Sequence, residues 1–478
     1  MSGLATGLAT GFAALAAAVA AVVLLQKFGR GAETDGLLAA YGAYLVLAIA
    51  ASGSRLVLVT DLTRARGQGR LDQALRGYTL ALTAVAIPAI TLTVLLADEI
   101  ARLIVVSGQA RHIAAGALSW FVIAGFVQLY AALAASALAA LDDYLTAAYA
   151  YGAGAFVTLG VFVALMDGHG PVALAWGSAA GGAAVLAPLM LALARRGSLR
   201  LGPSKGIAVK LGKIAWGATL PLSLQFLYLI SIRAASGLGK GEATTLAVAY
   251  LFASALVAAT ASSLALISSA PLTRRSTDAG EAAAHVVHSA WLSLSVVAAG
   301  AAVAVVGGEP VFSRLFGGTF SGQTGRELGL LIVYLVPWMV ASVAIALAFP
   351  LLFVLERPRV LIPLALAAPF LQLLAAHALR AAFGLGGVVA ALDLTTLATL
   401  LVLAGALSLN ALAVVSRGLV LATLALGSAA AFAFVPAALL LPRLPAAAIG
   451  LGLYALVLVT ARPRGLRAAW AYVRALHG

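Results

Sequence analysis

Long apolar runs, each bounded by a charge, a glycine or a proline, follow one another along nearly the whole chain. Divided at those boundaries, the sequence predicts spans near 4–26, 36–60, 77–97, 113–140, 145–166, 171–194, 214–236, 243–270, 286–307, 327–353, 360–378, 386–407, 418–441 and 445–461. Each run is close to the ~20 apolar residues a helix needs to cross the ~30 Å hydrocarbon layer. The pattern therefore predicts an all-α, polytopic membrane protein of about fourteen transmembrane helices.

Composition agrees. Of 478 residues, 63% are hydrophobic and 10% charged, and the mean hydropathy is +1.07. A water-soluble domain carries about 25% charged residues, so the solvent for most of this chain is lipid. With no cysteine, disulfides, zinc-thiolate sites and cysteine nucleophiles are excluded.

The charge excess is informative through its position. There are 30 Lys and Arg against 16 Asp and Glu, a net charge of +14. Counted by alternate loops, 19 basic residues lie on one side and 9 on the other, with Arg55 and Arg233 inside spans. The positive-inside rule then places both termini in the cytoplasm, where the basic loops face anionic inner-leaflet lipid. Nucleic acid is not an expected partner, because the charge is split among short loops. No Lys or Arg precedes the first span, so it reads as a retained helix and not a signal peptide. The densest basic block, Arg195, Arg196, Arg200, Lys205, Lys210 and Lys213, reads as a surface-lying linker. In the 462–478 tail, Leu466, Trp470, Val473 and Leu476 recur at helical spacing with Arg467 and Arg474 among the polar positions, which predicts an interfacial helix.

An internal repeat organises the spans. Residues 29–66 align without a gap on 239–276, matching Gly29, Gly31 and Thr34 to Gly239, Gly241 and Thr244, with Arg30 opposite Lys240. Further along, Ser52, Leu56, Leu62, Thr63 and Arg64 match Ser262, Leu266, Leu272, Thr273 and Arg274. Later, Gly168, Gly170 and Val172 correspond to Gly384, Gly386 and Val388. Both copies enter the membrane in the same direction, because six spans separate them. The expected domains are two parallel six-helix lobes at 1–200 and 201–407, two further transmembrane helices at 408–461, and the tail at 462–478. Parallel repeats of this kind are typical of alternating-access transporters with substrate between the lobes.

Three patches carry a family resemblance. FGRGAETDGLLAAY, Phe28 to Tyr41, resembles the run after the first helix of the MurJ/MviN lipid II flippases. Ala234 to Pro271 resembles their seventh and eighth helices, and EPVFSRLFGGTF, Glu309 to Phe320, resembles their "L-x-x-LFG-x-G-x-F" loop. The superfamily is that of multidrug, oligosaccharidyl-lipid and polysaccharide exporters, including Wzx-like flippases. The resemblance implies a bacterial inner membrane, rocking lobes, a groove for a lipid tail bordered by helices thirteen and fourteen, and a lipid-linked saccharide as cargo. It also marks departures. The Arg-Asp pair of the first helix is replaced by AALAAAVAA, the charges of the second helix by LAIAASGS, and an eighth-helix arginine by Leu251. Asp35 is the acid that carries over.

The remaining intramembrane charges are candidate site residues, since an ion at the bilayer centre costs about 2.5–3.5 kcal/mol on insertion scales. Arg55 and Arg233 either snorkel to their interfaces or offer a diphosphate charge-assisted hydrogen bonds. Arg30 and Lys240 form a repeat-related basic pair at the expected outer mouth. Gln128, Gln225 and Gln372 are single amides suited to interhelical bonds or sugar contacts. Asp393 is either one half of a pair with His377 or Arg380, or a coupling carboxylate. His285 and His288 lack a third ligand, so no metal site is expected.

No phosphate-binding loop and no nucleophile with a base is present, so no enzyme activity, catalytic residue or cofactor is expected. The drive is expected from the membrane potential or a coupled cation. The function expected is a flippase moving a polyprenyl-diphosphate-linked saccharide from inner to outer leaflet, with the cell-wall or polysaccharide synthesis enzymes as further partners. Two alternatives remain open: a cation-coupled exporter of small amphiphiles, and a non-transporting scaffold for cell-wall synthesis.

Overall fold

The computed structural model describes residues 16, 19–197, 206–262, 264, 278–355 and 357–477. The first expected span lies mostly outside these residues, as do Arg200, Lys205 and the 271–276 end of the repeat.

Among the described residues the regular structure is all helical. In chain order the helices are α1 (Val19–Phe28), α2 (Ala32–Gly67), α3 (Leu71–Leu95), α4 (Ala97–Ile104), α5 (Gly108–Ala140), α6 (Leu145–His169), α7 (Ala173–Arg195), α8 (Ile207–Ser236) and α9 (Glu242–Val257). They continue as α10 (Ala279–Phe316), α11 (Gln323–Tyr334), α12 (Val336–Val354), α13 (Leu361–Leu407), α14 (Leu409–Leu440), α15 (Arg443–Ala461) and α16 (Arg464–His477). Among the described residues ten helices are long and apolar enough to cross a membrane, or eleven if the bent pair α11 and α12 is one span.

That number differs from fourteen for a structural reason. Leu145–Arg195 is one apolar stretch of 51 residues, yet α6 and α7 pack along each other, so the chain reverses between them at Gly170, whose φ is +63°. The 47-residue α13 would run ~70 Å if continuous. Instead Gly384 adopts φ +56° and ψ −132°, and Gly387 packs on the backbone of Leu379 and Arg380. Residues eight apart in an unbroken helix lie ~12 Å apart, so α13 is also a hairpin. Each stretch holds two of the expected spans.

The repeat is visible in the backbone. Helix α2 begins at Ala32 and α9 at Glu242, 210 positions apart as in the gapless alignment. The hairpins begin at Leu145 and Leu361, 216 apart. That is the offset of the Gly168 and Gly384 alignment, whereas the positive-φ turns fall at Gly170 and Gly384, 214 apart.

The chain divides into two compact units, Met1–Thr244 and Thr245–Gly478. The first is organised around α2 and α5, with α8 packed along α2. Small residues make this possible. Gly36 sits against the Ala110 carbonyl, and Gly53 faces Gly217 and Pro221, leaving no space for a Cβ at either glycine. In the last ten residues of α5, Ala131–Ala140, every residue is buried. Close backbone approach through Gly and Ala is how membrane helices gain van der Waals contact where lipid supplies no hydrophobic drive. The second unit is organised around α10, against which α11, α12, α14, α15 and α16 pack. Large apolar side chains such as Leu103, Phe370, Phe383, Phe432 and Leu439 point outward, as a lipid-facing surface requires.

Candidate functional site

Three polar groupings stand out in the first unit. At the end that holds the 29–35 and 237–242 turns, Asp35 is 4% exposed. Its Oδ2 accepts from the Gly241 N–H at 2.7 Å, and its Oδ1 from the Thr244 N–H at 2.7 Å and the Thr244 hydroxyl at 2.6 Å. The start of a helix leaves N–H groups unpaired and partially positive, so Asp35 caps α9 from another helix. Arg30 completes the clasp. Its Nε donates to the Gly241 carbonyl at 2.8 Å and its Nη2 to Glu242 Oε1 at 2.6 Å. Gly241 has φ +83°, and a Cβ there would collide with the Arg30 side chain, so both the turn and the clasp need glycine. Lys240, the repeat partner of Arg30, is exposed.

The second grouping lies inside the unit. Arg55 is half-buried, with its guanidinium 5.9 Å from the Tyr151 ring centroid, within cation–π range. Tyr44 neighbours both Tyr151 and the Gln128 amide, and packs 5.4 Å from Tyr41. Helices α2, α5 and α6 therefore bring together a guanidinium, an amide and phenol hydroxyls, with the Phe121 ring packed 5.4 Å from Tyr41 and 6.1 Å from Tyr44. Of the residues expected from sequence, Arg55 and Gln128 belong to this grouping. Gln225 is buried on α8, and Arg233 is half-buried near the end of that helix, its Nη1 lacking a hydrogen-bond partner among the described residues. Tyr44 and Tyr151 escaped the sequence reading, because tyrosine is ordinary in membrane helices. The Tyr41 and Tyr44 spacing of i, i+3 was the available signal.

The third grouping sits at the opposite ends of these helices. Lys213 pairs with Asp61, which also accepts from the Tyr78 hydroxyl at 2.7 Å. Arg66 reaches Asp142 at 2.7 Å, and Arg196 reaches Asp143 at 2.6 Å. Arg196 and Lys213 of the basic block are thus engaged in ion pairs, and Lys210 and Lys213 lie in the first turns of α8 and not in the linker expected from the sequence.

In the second unit, Asp393 accepts from the Trp338 N–H at 3.0 Å. Trp338 is the third residue of α12, just past the 42° bend from α11, and its N–H would be an orphan of the first turn. The Trp338 ring packs 4.8 Å from Tyr250. A separate groove of about 380 Å³ is lined by apolar side chains including Leu294, Val297, Val305, Val340, Leu426 and Phe434. It lies among α10, α12 and α14, the last of which is the thirteenth span of the sequence reading. Among the described residues no group of three His, Cys, Asp or Glu is placed to hold a metal.

No protein-family profile matches the chain, and no curated protein sequence matches it. Solved structures do. The lipid II flippase MurJ in an inward closed conformation superposes with a TM-score of 0.70 at 12% identity, covering 96% of this chain and 98% of that one. An inward-facing multidrug resistance MATE transporter of the MOP superfamily gives 0.62 at 15% identity over 87% and 96%. The eukaryotic MATE transporter AtDTX14 gives 0.56 at 14% over 87% and 100%. A multi-pass chain of apolar helices in a tandem repeat, with paired helical hairpins at Gly170 and Gly384, therefore has the fold shared by the lipid II flippase and the MATE transporters of the MOP superfamily.

Proposed function

We propose that the protein is a MOP-type transporter that flips a polyprenyl-diphosphate-linked saccharide from the inner to the outer leaflet by alternating access, with both termini in the cytoplasm. The observation that carries this reading is the interior grouping of Arg55, Tyr44, Gln128 and Tyr151 on a fold similar to that of a lipid II flippase. Guanidinium groups bind phosphate oxygens with charge-assisted bonds, while phenols and an amide suit sugar hydroxyls. Arg233, Gln225 and Lys240 extend the proposed route, and release at the outer face requires the Asp35 and Arg30 clasp to open. A cargo carrying about two negative charges gains ~2.3 kcal/mol per charge per 100 mV on moving outward across an inside-negative membrane, so the potential alone is a sufficient drive. Native mass spectrometry of the purified protein with a polyprenyl-diphosphate disaccharide tests the site: bound cargo is expected in the unsubstituted protein and depleted in Arg55→Ala. Equal retention by the two proteins removes Arg55 from the site.

A second reading is favoured by a specific observation. Asp393 is an acid inside a hydrophobic hairpin, held by one backbone bond, and the fold is also that of MATE transporters. A cation-coupled exporter of small amphiphiles would use that carboxylate for coupling. Loss of small-amphiphile efflux in Asp393→Asn, with no binding of lipid-linked sugar, selects it.

A further inference from the structure

The C-terminal helix α16 is fixed on one side and charged on the other. Helix α15 crosses to Ala461, Arg462 turns the chain with φ +43°, and α16 starts at Arg464. Only Arg462 and Pro463 intervene, so α16 cannot leave the headgroup layer of the bilayer that α15 exits. It docks on the first turns of α10. Gly465 lies against the Trp291 indole without room for a Cβ, Ala469 is fully buried, and Tyr472 stacks on His288 at 5.1 Å with His285 at 5.8 Å. At about 100° per residue, Gly465, Ala469 and Tyr472 occupy one arc of the helix. Arg467, Trp470 and Arg474 occupy the opposite arc. All three are exposed, and the Arg474 guanidinium lies 5.4 Å from the Trp470 ring centroid.

We propose that this outward face is a docking surface for anionic phospholipid, with headgroup phosphate held between Arg467 and Arg474 and the Trp470 indole in the interfacial layer. Three observations select lipid over a soluble partner. The tail from 462 to 478 contains no acid, and no ion pair neutralises Arg467 or Arg474 among the described residues. An exposed Trp beside arginine is the composition of the membrane interface. The short connection to α15 fixes the depth. A helix held this way clamps α10 and α15 to the bilayer surface through a lipid contact that depends on lipid charge.

The chain has no cysteine, so Ala471→Cys places a unique environment-sensitive fluorophore beside this face in the full-length protein. The measurement is its quenching in phosphatidylcholine nanodiscs by a few per cent of headgroup-level spin label, carried in one sample on phosphatidylcholine and in the other on phosphatidylglycerol. Each basic residue at the surface contributes roughly fivefold, so quenching is expected to be severalfold stronger by the labelled phosphatidylglycerol. It should fall to the phosphatidylcholine value in Arg467→Ala/Arg474→Ala and return in Arg467→Lys/Arg474→Lys, which guards against a merely misfolded tail. Equal quenching in both lipids, or indifference to the alanine pair, overturns the proposal. So does shielding of the label that depends on added cytoplasmic protein and not on lipid charge. The nanodiscs hold no transport cargo, so either result leaves the flippase reading where it stands.

Discussion

The carboxylate of Asp35 holds Thr244 by both its backbone N–H and its hydroxyl, and these residues stand 209 positions apart. A buried acid that receives three donors is a strong helix cap, and a charged acceptor at an N-terminus contributes roughly 1–2 kcal/mol. The turns that meet here are the two copies of the internal repeat, so the clasp ties one copy to its homologue. Asp35→Asn keeps the shape and removes the charge. With a single cysteine at the buried Ala243, labelling by a membrane-impermeant maleimide is expected to accelerate roughly tenfold in Asp35→Asn, and about fivefold in Thr244→Val, which gives up one bond. Unchanged labelling in both variants would show that the clasp does not hold this turn closed.

Gly384 tests the hairpin turn. With φ +56° and ψ −132° it occupies backbone space open essentially to glycine, and a Cβ there meets nothing within 4 Å. Gly384→Ala is therefore expected to cost about 1–3 kcal/mol through the backbone alone. Gly386, two residues on and without positive φ, is expected to tolerate alanine or gain a few tenths of a kcal/mol. Thermal unfolding in one detergent, both variants side by side, decides it, and equal melting temperatures contradict the turn.

Asp393 separates the two functional readings. Asparagine in its place keeps an oxygen for the Trp338 N–H, so Asp393→Asn is expected to fold with its stability changed by less than about 1 kcal/mol. Flipping of lipid-linked saccharide should persist. Asp393→Ala leaves that N–H without its acceptor and is expected to cost about 1–3 kcal/mol. Abolished transport in a well-folded Asp393→Asn would instead mark a coupling carboxylate.

Much of the fold was legible because lipid imposes a simple rule: a spanning helix must be apolar for ~20 residues. The offset of 210 between GRGAET and GKGEAT equals the separation of the starts of α2 and α9, Ala32 and Glu242, although apolar content alone put those starts near 36 and 243. Near the turns the sequence was less informative. The offset of 216 fits the hairpin starts, but the turns themselves, at Gly170 and Gly384, were not legible, because Gly168, Gly170, Gly384 and Gly386 are indistinguishable without backbone angles. Polar partners were hardest to read. Nothing in the neighbourhood of Asp35 announces Thr244, nothing near Asp61 announces Lys213, and Asp393 bonds a backbone N–H freed only because α11 and α12 bend. Tyr44 and Tyr151 gain meaning only when α2 and α6 bring them to Gln128 and Arg55.

The central claim is that the interior polar grouping carries a diphosphate-linked saccharide across the membrane. Its most direct test is the flip rate of a fluorescent polyprenyl-diphosphate saccharide in proteoliposomes, with and without an imposed potential, for the unsubstituted protein and Arg55→Ala. The account predicts protein-dependent flipping, accelerated when the compartment that receives the cargo is positive, and slowed about tenfold or more in Arg55→Ala by loss of a charge-assisted bond. No flipping above protein-free liposomes, or equal rates in the two proteins at either potential, would contradict it.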